Sequence, residues 1–258
     1  MVNIYPIFKR ELKTYFVSPI AYVIFGVFLT ITGFFFYNML FSFNQLCLQY
    51  MQQSRQYGPM ELNITEMVAR PLFHVMSFII MLVIPMFTMR LLSEEKKTGT
   101  IELLLTSPIT DTDTVLGKYL AAFTVYEIML GLTLLFQFMA ARLTQLDWGP
   151  VISGYIGLTL MGGAFLAIGM LASSCTRNQI VAALLSFGAL LIFWVIGWSG
   201  QWAGPILAKV LGYLSIVEHV EDFVKGIYNT QHIIFYLTFI FFALFLTVRV
   251  LESYRWRS

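Results

Sequence analysis

Six stretches of this chain, 20–43, 72–89, 119–141, 151–172, 180–198 and 233–250, are each apolar for about the twenty residues that a helix needs to cross a bilayer. Little else can be built from runs of that length. Hydrophobic residues make up 58% of the chain and charged residues 12%, against roughly 25% in a soluble domain. Such a chain cannot be wetted over an ordinary globular surface. The expected fold is an all-α membrane protein with six transmembrane helices, organised as a single transmembrane domain over residues 1–258. The net charge of +2 is too small to argue for a nucleic-acid partner.

The most highly charged interruption lies between the second and third runs. Arg90 to Lys118 reads RLLSEEKKTGTIELLLTSPITDTDTVLGK, and nine of its 29 residues are charged. Arg90–Lys97 reads as an extension of the second span, broken by Gly99. Thr100–Ser107 is predicted to form a short helix with Ile101, Leu104 and Leu105 on one face at i, i+3, i+4 spacing. Pro108 stops it. Thr110, with Asp113 three residues on, caps a new helix that leads through Lys118 into the third span. The apolar face of the short helix needs a cover, and Glu94, Glu95 and Glu102 offer charge to a basic partner. The pattern favours docking of a partner over an amphipathic hairpin resting on lipid.

Residues 4–16 form a basic amphipathic pattern. Ile4, Ile7, Phe8, Leu12, Tyr15 and Phe16 share one face, with Lys9, Arg10 and Lys13 among the polar positions, which suits a helix lying in the membrane interface. Ser18-Pro19 marks the start of the first span. That run exceeds the roughly 7–15 residues of a signal-peptide core and no A-x-A site follows it, so the segment is expected to be retained. Residues 44–70 read as a polar loop ending in the capping-box form Asn63-Ile-Thr-Glu66. Pro85 is expected to kink or loosen the second span.

Six spans put both ends on one side. With the ends inside, the inner segments carry eleven Lys and Arg residues and the outer ones five. The positive-inside rule then places both termini and the 90–118 connector in the cytoplasm. Cys47 and Cys175 fall on opposite sides, so neither a disulfide nor a metal site is expected from them. Small residues four apart in the fourth and fifth spans (Ser153/Gly157, Gly163/Ala167, Gly169/Ser173, Ala182/Ser186) predict close helix packing.

The sequence has no G-x-x-x-x-G-K-[ST] phosphate loop, no H-E-x-x-H, no nucleophile elbow and no C-x-x-C. A self-contained enzyme is poorly supported, and no catalytic, cofactor-binding or metal residue is assigned. Glu127, nine residues past Lys118, is the clear acidic residue within a predicted span. It is an intramembrane polar candidate that is either protonated or paired. His74 reads as interfacial.

At the connector the sequence resembles a known family. The run LLSEEKKTGTIELLLTSPITDTDTVLGK is similar to the cytoplasmic signature of bacterial ABC transporter type-2 permeases. It is closest to the branch of the gliding-motility and copper-maturation permeases. The form E-E-K-[RK]-x-G-T-I-E-x-L-L-x-[ST]-P with a following L-G-K carries the likeness, and SIVEHVEDFVKGIYNTQHIIFYL (215–237) resembles that branch before its last span. The resemblance implies a permease subunit in the bacterial inner membrane, working with two separately encoded ABC ATPase subunits that hold the ATP and Mg. It also implies a second permease copy, either a homodimer or a related chain. The connector would be the first coupling helix, with Glu94, Glu95, Gly99, Thr100, Ile101, Glu102, Leu104, Leu105 and Pro108 at the ATPase. Arg177, in the loop Ser173–Gln179, would lie in the second contact.

The same resemblance makes residues 216–227 an outer lid. Ile216, Val217, Val220, Phe223, Val224 and Ile227 form its apolar stripe, and Glu218, His219, Glu221 and Asp222 its polar side. The implied function couples ATP hydrolysis to export or to a transmembrane conformational change. Two alternatives stand beside it: a proton-coupled carrier using Glu127, and a non-transporting scaffold that passes ATPase motion to a periplasmic partner.

Overall fold

The chain enters through two helices joined at a single residue. Helix α1 covers Ile4–Val17 and α2 covers Pro19–Tyr57. Between them the Ser18 hydroxyl accepts the N–H of Ile20 at 3.4 Å, and Pro19 opens α2 where its missing N–H costs nothing. This computed structural model describes residues 4–57, 63–100, 110–199, 204, 209, 211–213 and 215–255. All regular structure among them is helical.

Helix α2 corrects the sequence reading of 44–70 as a loop, because it continues to Tyr57. The segment NQLCLQYMQQSRQY is polar, but it is rich in good helix formers and contains no Gly or Pro before Gly58-Pro59. Polarity marks where the helix leaves the apolar slab, not where it stops. The chain re-enters at a π turn, Thr65–Ala69. Asn63 Oδ1 accepts the N–H of Thr65 at 2.8 Å, while Glu66 pairs with Arg70 at 3.2 Å. The expected capping box is therefore half made: the asparagine caps, and the glutamate turns to a cation instead of reaching back.

Helix α3 (Arg70–Thr88) runs through Pro85 and ends three residues later, and four turn residues separate it from α4 (Ser93–Thr98). Gly99, with φ 74°, terminates α4 in the left-handed conformation that glycine adopts without penalty. Helix α5 (Asp111–Leu132) begins at Thr110, whose side chain accepts the N–H of Asp113 at 3.2 Å as expected. The third span is broken where the sequence reads as continuous. Thr133 bonds back to the Leu130 carbonyl at 2.6 Å and meets the Tyr155 hydroxyl at 2.9 Å, and a new helix, α6 (Leu134–Leu143), starts after it. Helices α7 (Trp148–Cys175), α8 (Gln179–Ser199), α9 (Ile216–Val224) and α10 (Thr230–Arg255) complete the chain.

Among the described residues, six helical stretches are long and apolar enough to cross a membrane: Pro19–Met51, Thr65–Thr98, Asp111–Leu143, Trp148–Cys175, Gln179–Gly197 and Thr230–Tyr254. Each contains or overlaps one predicted run. The first, fifth and sixth present large apolar side chains outward, such as Phe34, Leu184 and Phe241, as a lipid-facing surface requires. The core forms around α7, which packs against α3, α5, α8, α9 and α10.

Small residues let α7 approach its neighbours closely. A Cβ built on Gly162 would lie 2.2 Å from the buried Tyr126 ring of α5, and one on Gly169 would lie 2.2 Å from the Thr88 hydroxyl of α3. The Tyr126 hydroxyl donates to the Leu158 carbonyl at 2.7 Å. Ser153, Ala167, Ser173, Ala182 and Ser186 are buried, in keeping with close packing of the fourth and fifth spans.

Candidate functional site

The connector has two ends, and one set of charges holds both. Its first end is α4, and its second is the start of α5. Lys118 of α5 is buried, with its side chain 3% exposed. Its ammonium lies 2.8 Å from Glu95 Oε1 on α4 and 3.0 Å from Glu11 Oε1 on α1. Arg10, on the exposed side of α1, reaches the same two carboxylates at 2.9 and 3.4 Å. Two cations and two carboxylates thus neutralise one another across three helices. Exposed ion pairs contribute only about 0–1 kcal/mol, whereas leaving a buried charge unpaired costs about 3–5 kcal/mol. Lys118 is the member that the cluster cannot lose.

Burial pushes the Glu11 carboxyl up, but Lys118 and Arg10 beside it outweigh that effect and hold it below the usual carboxylate range. The helices can come this close because residue 117 is glycine. A Cβ there would stand 2.9 Å from the Ile7 side chain of α1. Ile7 is the buried residue of α1, so the apolar face of the amphipathic helix rests on protein at this point.

The next residues of α4 turn the other way. Ser173 Oγ, near the end of α7, accepts the N–H groups of Leu92 and Ser93, each at 3.1 Å, and donates to the Met89 carbonyl at 3.2 Å. The buried Lys96 ammonium donates to the Ser174 carbonyl and stands 4.9 Å from the centre of the Tyr254 ring on α10. Arg177, between α7 and α8, donates to the Tyr254 hydroxyl at 2.6 Å. One six-residue helix is therefore joined through Glu95 to α1 and α5, and through the N–H groups of Leu92 and Ser93 at its start and Lys96 to α7 and α10.

These contacts sort the sequence candidates. Glu95 is drawn into the charge cluster. Glu94, Gly99 and Thr100 are exposed. Arg177 lies on the same side as α4, sharing Tyr254 with Lys96. Ile101, Glu102, Leu104, Leu105 and Pro108 lie outside the described residues. Arg10, Glu11, Lys96, Ser173 and Tyr254 were not singled out as site residues, and local periodicity held no signal for them. The available signal was a lysine, Lys118, at the foot of a span with no partner within one helical turn.

That arrangement meets its family here. The family described as ABC-2 family transporter protein matches residues 5–248. The chain belongs to the ABC-2 transporter family. It is a multi-pass membrane permease subunit, as the six spans and that match together require. A search among curated proteins returned no match.

Elsewhere in this ABC-2 permease the remaining candidates fall in two places. Glu127 is half-buried on α5. Its Oε2 accepts the Thr159 hydroxyl of α7 at 3.2 Å, and its Oε1 is buried without a partner among the described residues. On the opposite face of the membrane from α4, helix α9 buries Ile216, Val220, Phe223 and Val224. Ile227 is exposed, past the end of the helix, so the apolar stripe is shorter than expected. His219 was expected on the polar side; it is 5% exposed and turned inward, while Glu218 and Glu221 face out. Asp222 is half-buried and pairs with His232 of α10 at 2.8 Å.

Proposed function

We propose that this chain couples ATP hydrolysis, carried out by two separate ABC ATPase subunits, to export or to a conformational change across the bacterial inner membrane. Both termini and the connector are then cytoplasmic, in line with the excess of Lys and Arg on that side. A second permease copy, identical or related, stands beside it.

The observation that carries this reading is the double anchoring of the connector. Helix α4 ends at Thr98 and α5 begins at Asp111, and Lys118 fastens Glu95 of the one to the foot of the other. A push on the connector is thereby delivered to α1, α3 and α5 together, and through Ser173 to α7. Coupling also requires that the ATPase bind one arrangement of these helices better than the other. The acidic Glu94 and Glu102 would meet basic groups on the ATPase.

The test is the permease–ATPase complex reconstituted in vesicles. Glu102→Arg and Ile101→Asp are expected to leave the permease in the membrane while separating ATP hydrolysis from its transmembrane effect. Coupling equal to that of the parent chain in both variants would refute the assignment.

A further inference from the structure

The face opposite the connector holds a second chain of polar groups, and the permease mechanism above makes no use of it. His232 Nε2 lies 2.8 Å from Asp222 Oδ2, His232 Nδ1 lies 2.7 Å from His219 Nδ1, and His219 Nε2 lies 3.0 Å from the Tyr213 carbonyl oxygen. These are three hydrogen bonds in a row through two imidazoles. The carbonyl only accepts, and so does the ionised carboxylate. Each of the three contacts needs a proton. Two neutral histidines carry two between them, so the chain as built holds one more, and that charge is balanced by Asp222.

We propose that His219 and His232 form a proton-binding site that fastens the outer helix α9 to the start of the last span, and that loss of its one extra proton undoes the fastening. Without that proton one contact must fail. Either the two Nδ1 lone pairs face each other at 2.7 Å, or the His219 Nε2 lone pair faces the Tyr213 oxygen, or the His232 Nε2 lone pair faces the Asp222 carboxylate. A second extra proton would also break the chain, since two Nδ1–H groups would then oppose each other. The site takes up one proton and resists the next.

The surroundings agree with a single charge. Burial pushes the His219 imidazole below the ordinary value of 6.5; His232 acts in the same direction, while the Tyr213 carbonyl and Asp222 act against it. His232 is the ring in contact with Asp222, at 2.8 Å. Around the pair stand Tyr213, Phe223, Phe235 and Tyr236, with the His219 and Phe235 rings 4.1 Å apart. Tyr236 spends its hydroxyl on the Ile216 carbonyl at 2.5 Å.

The other elements packed against α9 bring little charge. Helix α8 has no titratable side chain, and α7 has only Tyr155, bonded to Thr133, and the distant Cys175. Helix α3 contributes Arg70, which pairs with Glu66, and the exposed His74. On α9 itself Glu221 pairs with Lys225, and Glu218 lies toward Gly197 and Gly212. Among the described residues, Asp222 is the carboxylate within bonding distance of the pair. The site holds whichever subunit drives the connector on the other face.

The experiment is hydrogen exchange on the full chain in lipid nanodiscs, read on the peptide covering 215–227 and corrected for the intrinsic effect of pH. Between about pH 6 and about pH 8 the protection of α9 is expected to fall about five- to tenfold, the loss of one buried hydrogen bond. In His219→Gln the protection should be lower and nearly flat. Asp222→Asn should move the midpoint to lower pH. Equal protection at both pH values in the parent chain, or the same pH dependence in His219→Gln, overturns the proposal.

Should the variants fail to insert, imidazole 15N spectra of the parent chain decide instead. The chain has three histidines, and exposed His74 serves as the reference. Two coupled signals sharing one proton support the site. Two independent titrations, or none, overturn it.

Discussion

Lys118 and Glu95 meet at 2.8 Å across the whole of the connector, each from a helix that leads into a different span. Glu11 joins them from α1 at 3.0 Å. The two ends of the connector are thus held to each other, and what moves them must move three helices.

Replacing Lys118 by Met should show this directly. It leaves Glu11 and Glu95, both largely buried, with the exposed Arg10 as their counter-charge among the described residues. The expected loss of stability is about 3–5 kcal/mol, the usual cost of breaking a buried pair. Thermal melting in detergent micelles measures it. Glu94→Gln, at an exposed neighbouring position, should change stability by less than about 0.5 kcal/mol.

The cluster also makes stability depend on pH. Glu11 is held below its ordinary value of 4.5, so its contribution is fully present above that pH and is lost as pH falls through the folded value. Melting temperature measured from about pH 6 down to about pH 3 should fall less in Glu11→Gln than in the parent chain. An equal fall in both would show that Glu11 does not carry the effect.

Ser173 offers a test on the other side of α4. Ser173→Ala removes the acceptor of two buried N–H groups, Leu92 and Ser93. Each orphaned donor costs about 1–3 kcal/mol. Hydrogen exchange of the peptide spanning 89–100 should accelerate, while that of the outer helix α9 should not change.

Packing against α7 separates glycines that are needed from those that are not. Gly162→Ala drives a methyl into the Tyr126 ring and should cost at least about 1–3 kcal/mol. Gly188→Ala meets nothing within 4 Å among the described residues, and should be neutral or stabilise by about 0.5–1 kcal/mol through helix propensity. Yield of folded protein and melting temperature distinguish the two.

Much of this architecture was legible in the sequence, because lipid makes the strongest demands and those demands are local. The six runs, the Ser18-Pro19 start, the Thr110 cap and the Gly99 break all follow from single residues or a twenty-residue average. The misreadings share a cause. Residues 44–57 read as a loop on polarity alone, although the backbone has no reason to leave the helix before Gly58-Pro59. The Thr133 break depends on a partner, Tyr155, that lies on another helix. His219 reads as polar from its own helix, and its burial follows from Phe235 and His232 of α10. The Lys118 clasp joins residues 23 and 107 positions apart, and periodicity names the face a residue occupies without naming what meets it.

On the function proposed above, the connector between α4 and α5 receives motion from an ATPase. A photo-crosslinking residue at position 102, in the chain co-expressed with its ATPase, tests that most directly. The account predicts a covalent product between the permease and the ATP-binding chain, lost in Ile101→Asp. Crosslinks to lipid alone, with the ATPase present and bound, would contradict it.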